Sequence, residues 1–580
     1  MKNAFKQYFD LLIKYLKPQS RRVVQMGLLL FTSIGLQLLG PQIIRYFIDT
    51  VVSRGAIDNL ARAALFFILV VFARQLASAL ATYLSEDVGW TATNSLRTDL
   101  VLHCLGLDIS FHKAHTPGEL IERIDGDVMM LSNLFSQFVF RVLGSVILLL
   151  GILTLAFIED WRVGLMMTVS TLIALYVLRQ TQGIAIPHHR AFRQSVADTT
   201  SFWEEALTGT EDIRANGAKA YTARRHAALQ RLLLHNGRKS MVMARVFFSS
   251  WEFLVSVANA ALLAIGAYLL NAGAMTIGGI YLVFQYGSLL STNLLQATEQ
   301  MENLQQATAS VERIRELLST GSRIKEGDEV IPHGPLSVEF KDVSFTYTAN
   351  RSTLEGVSFR IEPGKVLGVL GRTGSGKTTL IRLLFRLYDT DSGTIRLGDV
   401  DIRCARLSDL RQRVGFVTQE VELFHASLRD NLTFFDDDIP DKRIIELIAE
   451  LGLADWYALQ PRGLDTVLEA GDKSLSAGEA QLVAFIRVFL KDPGLVILDE
   501  AFSRVDPATE RMIARAIDKL LEGRTGIIIA HRLATVERSD CILILEGGRV
   551  REYGSRDELM MDSTSHYSRS LNIGLEEVLA

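Results

Sequence analysis

The chain has 580 residues, of which 48% are hydrophobic and 22% charged, and its mean hydropathy is +0.21. That average is too high for an ordinary soluble protein and too low for a chain buried wholly in lipid. We therefore predict one membrane part and one soluble part. The near balance of 61 Lys and Arg against 65 Asp and Glu gives no reason to expect nucleic acid as a partner. The cysteines Cys104, Cys404 and Cys541 have no paired spacing, which predicts free thiols.

The membrane part is predicted to begin with an amphipathic surface helix, because apolar residues such as Phe5, Tyr8 and Phe9 recur there at helical spacing. Further stretches are each apolar for the ~20 residues that a bilayer requires. The six predicted spans are 24–46, 60–83, 133–158, 161–182, 247–271 and 276–299.

The basic residues orient these spans. The segment 183–246 carries ten Lys and Arg residues, whereas the turns near 159–160 and 271–274 carry none. Because basic loops stay in the cytoplasm, both ends of the membrane part are predicted to be cytoplasmic. The long segments 84–132 and 183–246 contain few Gly or Pro residues, so we expect them to continue the spans as helices.

From Leu336 onward, short apolar strands alternate with helical stretches, which is typical of an α/β domain with a largely parallel sheet. We predict a multidomain membrane protein. Its parts are an all-α transmembrane domain over 1–320 with six helices and long intracellular extensions, a linker over 321–335, and an α/β P-loop NTPase domain over 336–580.

A phosphate-binding loop is predicted at GRTGSGKT, which follows the strand VLGVL and precedes a helix. Its glycines let backbone N–H groups surround phosphate oxygens, and the helix N-terminus adds a positive dipole. Lys377 is expected to reach the β- and γ-phosphates of ATP, and Thr378 to give Mg²⁺ a hydroxyl ligand. The predicted nucleotide contacts here are Gly371, Arg372, Thr373, Gly374, Ser375, Gly376, Lys377, Thr378 and Thr379.

Two acidic residues end the later apolar strand LVILDE. Ligands of open α/β sheets bind at the carboxyl ends of the strands. Asp499 is therefore expected to support Mg²⁺, and Glu500 to act as the general base for the attacking water.

The segment LSAGE at Leu475–Glu479 resembles the LSGGQ signature of ABC transporter ATPases. The resemblance covers nearly the whole chain and implies a half-transporter of the exporter fold, with six spans fused to one ABC nucleotide-binding domain. It also implies roles for Tyr347 in stacking on adenine, Gln419 in contacting Mg²⁺ and the attacking water, Asp506 in the D-loop and His531 as the switch histidine, and it matches Gly118, Glu119, Arg123 and Asp127 to an intracellular loop.

The resemblance implies a dimer, in which Ser476 and Gly478 of one chain contact the γ-phosphate of ATP held by the other. This sequence departs from the family pattern within that signature. Ala477 replaces a glycine and Glu479 replaces the glutamine, which brings a methyl group and a carboxylate near a triphosphate. The departure favours a heterodimer, with a better signature on the partner half-transporter, over a homodimer.

The main hypothesis is ATP-driven export of an amphipathic compound, peptide or lipid by alternating access, from a bacterial inner membrane with the ATPase in the cytoplasm. One alternative is an importer of a metal chelate, and another is an ATP-gated channel or regulatory subunit that does not hydrolyse ATP. Glu500 and His531 argue against the second alternative.

Substrate contacts are the least explicit part of the sequence. Intramembrane charges are costly, so Arg74 is equally a substrate contact or half of an internal ion pair with Asp49 or Glu252. For Arg141 and Glu252, pairing or snorkelling is favoured. Packing is the favoured role of the sixth-span residues Tyr281, Phe284, Gln285, Tyr286 and Asn293, and lining of a substrate cavity is the alternative.

Overall fold

The structure is a computed structural model that describes residues 13–133, 139–348, 351–419, 421–469, 475–499, 507–530 and 533–572. Its contacts divide the chain into two compact units. The first contains Met1–Leu105 and Thr116–Thr320, and the second contains Gly106–His115 and Gly321–Ala580. The short segment Gly106–His115 therefore belongs by its contacts to the second unit, although its neighbours in sequence belong to the first.

Helices make up the described part of the first unit. Residues 13–16 are helical, while the rest of the predicted surface helix lies outside the described residues. A 3₁₀ turn, Lys17–Gln19, comes next, and a π-helical turn, Glu122–Gly126, lies between α4 and α5. The helices are α1 (Ser20–Val52), α2 (Ile57–Gly106), α3 (Ile109–Ala114, in the second unit), α4 (Pro117–Ile121), α5 (Asp127–Asn133), α6 (Val139–Glu159), α7 (Trp161–Thr208), α8 (Thr210–Ala215), α9 (Lys219–Asn271) and α10 (Ile277–Ser319).

Among the described residues, five helical stretches are long and apolar enough to cross a membrane. They overlap the first five predicted spans and lie at Ile13–Val52, Ile57–Gly106, Val142–Glu159, Trp161–Leu178 and Lys219–Asn271. The sixth predicted span lies in α10, which is helical but carries more Gly, Ser, Gln and Asn. The long helices α7 and α9 continue beyond the spans and pack along each other, where Asn236 donates to Ser195 Oγ at 2.7 Å.

A polar network, which we call the outer network, joins the ends of α1, α6 and α10 next to the turns predicted to lie outside. Arg45 pairs with Glu159 and lies 3.8 Å from the carboxylate of Asp49. Asp49 accepts hydrogen bonds from Thr276 Oγ1 and from the backbone N–H of Gly278, both at 2.9 Å. A Cβ atom on Gly278 would lie 2.6 Å from the Arg45 carbonyl oxygen, so glycine permits this close approach.

A second polar cluster holds α5 against α10 in the loop region matched to ABC exporters. The Asp127 side chain is buried and accepts hydrogen bonds from Ser310 Oγ and Arg313 Nε, both at 2.8 Å. Arg123 donates to Glu119 at 2.8 Å, one helical turn away. Because a buried carboxylate is costly without partners, these bonds fix the position of α5.

The second unit is an α/β domain. Its strands are β1 (Val338–Thr348), β2 (Arg351–Ile361), β3 (Val366–Leu370), β4 (Ser392–Leu397), β5 (Val400–Asp401), β6 (Val414–Val417), β7 (Ala426–Ser427), β8 (Val467–Leu468), β9 (Leu495–Asp499), β10 (Thr525–Ile529), β11 (Cys541–Glu546) and β12 (Arg549–Ser555). Its later helices are α11 (Lys377–Leu384), α12 (Leu407–Arg413), α13 (Leu428–Thr433), α14 (Asp441–Glu450), α15 (Ala454–Ala458), α16 (Ala477–Lys491), α17 (Pro507–Leu521), α18 (Arg556–Met561) and α19 (His566–Asn572).

The strands form two larger sheets. A six-stranded sheet has the order β12-β11-β3-β10-β9-β6, in which every neighbouring pair except β11 and β12 is parallel. A four-stranded antiparallel sheet has the order β2-β1-β4-β5. Every residue of β3 and β10 is buried, because apolar side chains cover both faces of the parallel strands.

We expect Asp49→Ala to destabilise the protein by about 1–3 kcal/mol, because it removes the acceptor for two donors at the start of α10. The measurement is the thermal unfolding midpoint of the purified chain in detergent. Asp58→Ala is the matched control, since Asp58 is exposed in the first turn of α2 and outside the outer network. Equal midpoints for the two variants would contradict the structural role of Asp49.

Candidate active site

Four neighbouring strands of the six-stranded sheet end at or just before the predicted catalytic and nucleotide-binding residues. The strands β3, β10, β9 and β6 are consecutive and parallel. Ile529 of β10 pairs with Val369 of β3 on one side and with Asp499 of β9 on the other. Because parallel strands end at the same edge of a sheet, whatever follows these four strands is brought together.

The residues after these strands are those that the motifs single out. The loop 371–376 follows β3, Asp499 is the last residue of β9, and Gln419 comes two residues after β6. His531 comes two residues after β10, and Glu500 directly follows β9. The positions of Glu500, Asp506 and His531 themselves lie outside the described residues.

The phosphate loop has a backbone that requires glycine. Gly371, Gly374 and Gly376 have φ values of +155°, +82° and +108°. A Cβ atom on Gly371 would lie 2.4 Å from the carbonyl oxygen of Leu545, and one on Gly376 would lie 2.5 Å from Leu354 Cδ2. Both the backbone conformation and the surrounding space therefore exclude larger residues.

The polar groups of this loop fit a phosphate group. Lys377 begins α11 with its side chain buried, and its ammonium donates to the carbonyl oxygens of Gly371 and Arg372, the latter at 3.3 Å. The buried Ser375 Oγ has no hydrogen-bond partner among the described residues. Such an unsatisfied buried hydroxyl is suited to an incoming oxygen ligand.

Tyr347 lies in an aromatic cluster beside the helix that follows the phosphate loop. Its ring meets those of Phe345 and Tyr388 edge to face, at centroid distances of 4.9 and 5.2 Å. Its hydroxyl donates to Thr379 Oγ1 at 3.3 Å and accepts from Arg382 at 3.2 Å. Tyr347 is thus connected directly to α11, and no sequence motif indicated that Tyr388 packs against it.

The signature segment begins helix α16 through a capping box. Ser476 Oγ accepts from the N–H of Glu479 at 3.3 Å, and Glu479 Oε2 accepts from the N–H and the hydroxyl of Ser476, both at 2.8 Å. From its charge alone, Glu479 is predicted to repel a nearby triphosphate. The Ser-x-x-Glu spacing was also the available signal for this cap.

Arg487 connects α16 with the segment that follows Gln419. It donates to the carbonyl oxygens of Asn431 at 2.6 Å and Glu422 at 3.1 Å, and its guanidinium lies 4.5 Å from the centre of the Phe434 ring. Burial lowers the pKa of this guanidinium to about 10. No sequence motif indicated this connection.

The first unit contains a cavity of about 360 Å³ between α1, α2, α6 and α10. Amide side chains line it at Gln37, Asn293 and Gln296, and the lining residues that the structure describes include the carboxylate Glu86 but no Lys or Arg. The remaining lining residues, many of them hydroxyl-bearing, are Leu30, Ser33, Ile34, Ser78, Ala81, Thr82, Ser85, Gly144, Ser145, Leu148, Leu289 and Thr292.

The five sixth-span residues considered as possible cavity lining have different surroundings in the structure. Only Asn293 among the five lines this cavity, and it donates to the Ser145 carbonyl oxygen at 2.8 Å. Tyr286 is buried, accepting from Gln42 and donating to the Leu38 carbonyl oxygen, both at 3.1 Å. Its role is therefore packing between α1 and α10.

Arg74 and Glu252 are not among the described residues that line the cavity. Within the described residues Arg74 has no ion pair, and Asp49, one suggested partner, belongs instead to the outer network. Glu252 is exposed on α9, and the side chain of Arg141 lies outside what the structure describes. Sequence reasoning named Asn293 but missed the cavity amides Gln37 and Gln296, because a polar residue in a span carries no local sign of the face it occupies.

Comparison with known proteins identifies both units. The ABC transporter transmembrane region matches residues 23–294, and a second family model, described as ABC transporter, matches residues 354–503. An ATP-dependent lipid A-core flippase of Chromohalobacter salexigens is 30% identical over 499 residues, which cover 86% of each chain. The mitochondrial ATP-binding cassette sub-family B member 10 of Mus musculus is 28% identical, covering 97% of this chain and 80% of its own.

The fold agrees with these sequence matches. The solved structure of a bacterial Atm1-family ABC exporter with ATP bound has a TM-score of 0.81 and 25% identity, covering 96% of this chain and 98% of that one. A helical membrane unit followed by a nucleotide-binding α/β unit defines an ATP-driven transporter subunit. The chain belongs to the ABC transporter family, as an exporter half-transporter.

Membership of this family confirms several predictions. The fold class, the membrane location, ATP hydrolysis coupled to transport, and the exporter interpretation are confirmed. Half-transporters of this kind work as dimers, so the working unit needs a second half-transporter.

Proposed function

We propose that this chain is one half of a heterodimeric exporter that moves a lipid-like substrate out of a bacterial inner membrane, with its ATPase in the cytoplasm. The observation that carries the proposal is the common sheet edge, where the phosphate loop follows β3, Gln419 follows β6 and Asp499 ends β9. The name of the flippase relative supports a lipid substrate.

Each site residue has a proposed role in hydrolysis. Lys377 and Ser375 bind the phosphates, while Tyr347 stacks on adenine. Glu500 accepts a proton from the attacking water, so that the water oxygen attacks the γ-phosphorus as the bond to the β-phosphate oxygen breaks. His531 and Asp506 complete the site, with His531 beside the γ-phosphate and Asp506 at the dimer interface.

Mg²⁺ fits the donor set on this edge. Thr378, Gln419 and Asp499 offer a hydroxyl, an amide oxygen and a carboxylate, which are the oxygen ligands that Mg²⁺ takes together with substrate phosphates. No cluster of three or more His, Cys, Asp or Glu residues that could hold a metal by itself occurs in the described residues. When bound, Mg²⁺ would neutralise charge on the phosphates.

We expect Glu500→Gln to lower ATP turnover by about 100-fold or more while ATP still binds, since it removes the general base and leaves the phosphate loop intact. Phosphate release and binding of a fluorescent ATP analogue are measured on the same preparation. Glu522→Gln is the control, because Glu522 is an exposed carboxylate after α17. Unchanged turnover of Glu500→Gln would exclude Glu500 as the base.

The signature cap supports a heterodimer. The N–H and hydroxyl of Ser476 are the donors expected to meet the γ-phosphate held by the other chain. Here both donate to the Glu479 carboxylate at 2.8 Å, so a phosphate oxygen must compete with a resident anion. This chain is thus a poor signature donor, and the partner is expected to carry the better signature.

We expect the combined substitution Ala477→Gly and Glu479→Gln to raise the ATPase rate of the isolated chain severalfold, because it removes a methyl group and a negative charge from the signature. Glutamine keeps the capping-box spacing, so the helix is retained. Glu479→Ala is the matched variant that removes both charge and cap, and it should lower stability by about 1 kcal/mol. Full cooperative turnover by the unmodified chain alone would contradict the heterodimer.

The membrane cavity supports the substrate class. Amides and hydroxyls both donate and accept hydrogen bonds, and such residues are rare in membrane spans unless they have a partner. The amides of Gln37 and Gln296 have no hydrogen-bond partner within the described residues, whereas Asn293 binds Ser145. Among the described lining residues, Glu86 adds a carboxylate and there is no Lys or Arg, which supports an uncharged polar head group over an anionic one.

We expect Gln37→Leu and Gln296→Leu each to abolish or strongly reduce ATPase stimulation by a neutral sugar-headed glycolipid in nanodiscs, with basal ATPase unchanged. Gln75→Leu is the control, since Gln75 is exposed on α2 and does not line the cavity. Stimulation by phosphatidylglycerol and not by the glycolipid would show that the head-group assignment is wrong.

A further inference from the structure

The short segment Gly106–His115, whose neighbours in sequence belong to the membrane unit, packs within the nucleotide-binding unit. Asp108 caps α3 by accepting from the N–H of Phe111 at 3.1 Å, and its other carboxylate oxygen accepts from the N–H of Arg323 at 2.8 Å. At the other end of α3, the ammonium of Lys113 lies 4.5 Å from the centre of the Tyr347 ring and 5.7 Å from that of Tyr388.

Lys113 therefore lies over a face of the ring that is proposed to stack on adenine. The ring also makes edge-to-face contacts with Phe345 and Tyr388, and its hydroxyl is bound to Thr379 and Arg382. A stacked base and a cation both need the face of the ring, since its π electrons attract the cation and its area covers the base.

The two interactions are of similar strength, because cation–π pairing and base stacking on an aromatic side chain fall in overlapping ranges. Because neither interaction is much stronger than the other, Tyr347 can exchange Lys113 for adenine. Lys113 belongs to the segment Gly106–His115, which in sequence joins two long stretches of the membrane unit.

We propose that Lys113 is a positioning residue that senses the base of the bound nucleotide by competing with adenine for Tyr347. Base binding releases Lys113 from the ring, and the loss of this contact loosens the segment Gly106–His115. This inference rests on the proposed adenine-stacking role of Tyr347.

The first test measures nucleotide affinity of the full chain in nanodiscs. Lys113→Met keeps the length of the side chain and removes the charge, so we expect ATP to bind about fivefold more tightly. Tripolyphosphate, which has no base, should bind both forms equally. Lys113→Arg retains a cation and should resemble the unmodified chain. Unchanged or weaker ATP binding in Lys113→Met, or an equal change for tripolyphosphate, would overturn the proposal.

A double-mutant cycle separates this inference from the function on which it rests. Tyr347→Leu should weaken ATP binding, and Lys113→Met should have no further effect in that background. If Tyr347→Leu leaves ATP affinity unchanged, the adenine role of Tyr347 fails. If it weakens ATP binding but Lys113→Met has no effect in either background, only the sensing role of Lys113 fails.

Amide hydrogen exchange of the unmodified chain gives a readout that needs no substitution. ATP should speed exchange in Gly106–His115 severalfold, whereas tripolyphosphate should leave it unchanged, because only ATP carries a base that can displace Lys113. Protection of the segment by ATP, or equal exchange with both ligands, would contradict the proposed competition.

Discussion

The parallel arrangement of β3, β10, β9 and β6 is the constraint on which the ATPase depends. These strands are neighbours, so residues from four distant parts of the sequence emerge at one edge. This edge can bind phosphate only because the loop after β3 curves back on itself. Gly371 and Gly376 make that curve possible. Burial of β3 and β10 on both faces keeps the strands in register.

The residues that the sequence could place are those whose signal is local. The phosphate loop, the strand that ends in Asp499 and five of the spans are each contained in one continuous stretch of chain. The contacts that could not be predicted from the sequence join positions far apart in the chain. They are Arg45 with Glu159, Arg487 with Glu422, and Lys113 with Tyr347. A single sequence does not encode which distant partner a charged side chain meets.

Glu479 differs from these residues, because the adjacent sequence predicts two distinct physical effects for its carboxylate. A carboxylate three residues after a serine caps a helix, and a carboxylate in an ABC signature repels phosphate. In the structure the N–H and the hydroxyl of Ser476 both donate to the Glu479 carboxylate, so the cap is formed. If Ser476 meets the γ-phosphate of the other chain, as proposed above, this carboxylate competes with that phosphate for the same donors.

The polar groups of the membrane unit differ between the outer network, where they are paired, and the cavity, where two amides are not. In the outer network, Arg45, Glu159 and Asp49 satisfy one another and the start of α10. In the cavity between α1, α2, α6 and α10, the amides of Gln37 and Gln296 have no such partner within the described residues. Paired charges are costly to separate in a medium of low dielectric constant, so the outer ends stay together until another process supplies the free energy. With the lipid-like substrate proposed above, amides that have no partner would lower the cost of receiving a polar head group.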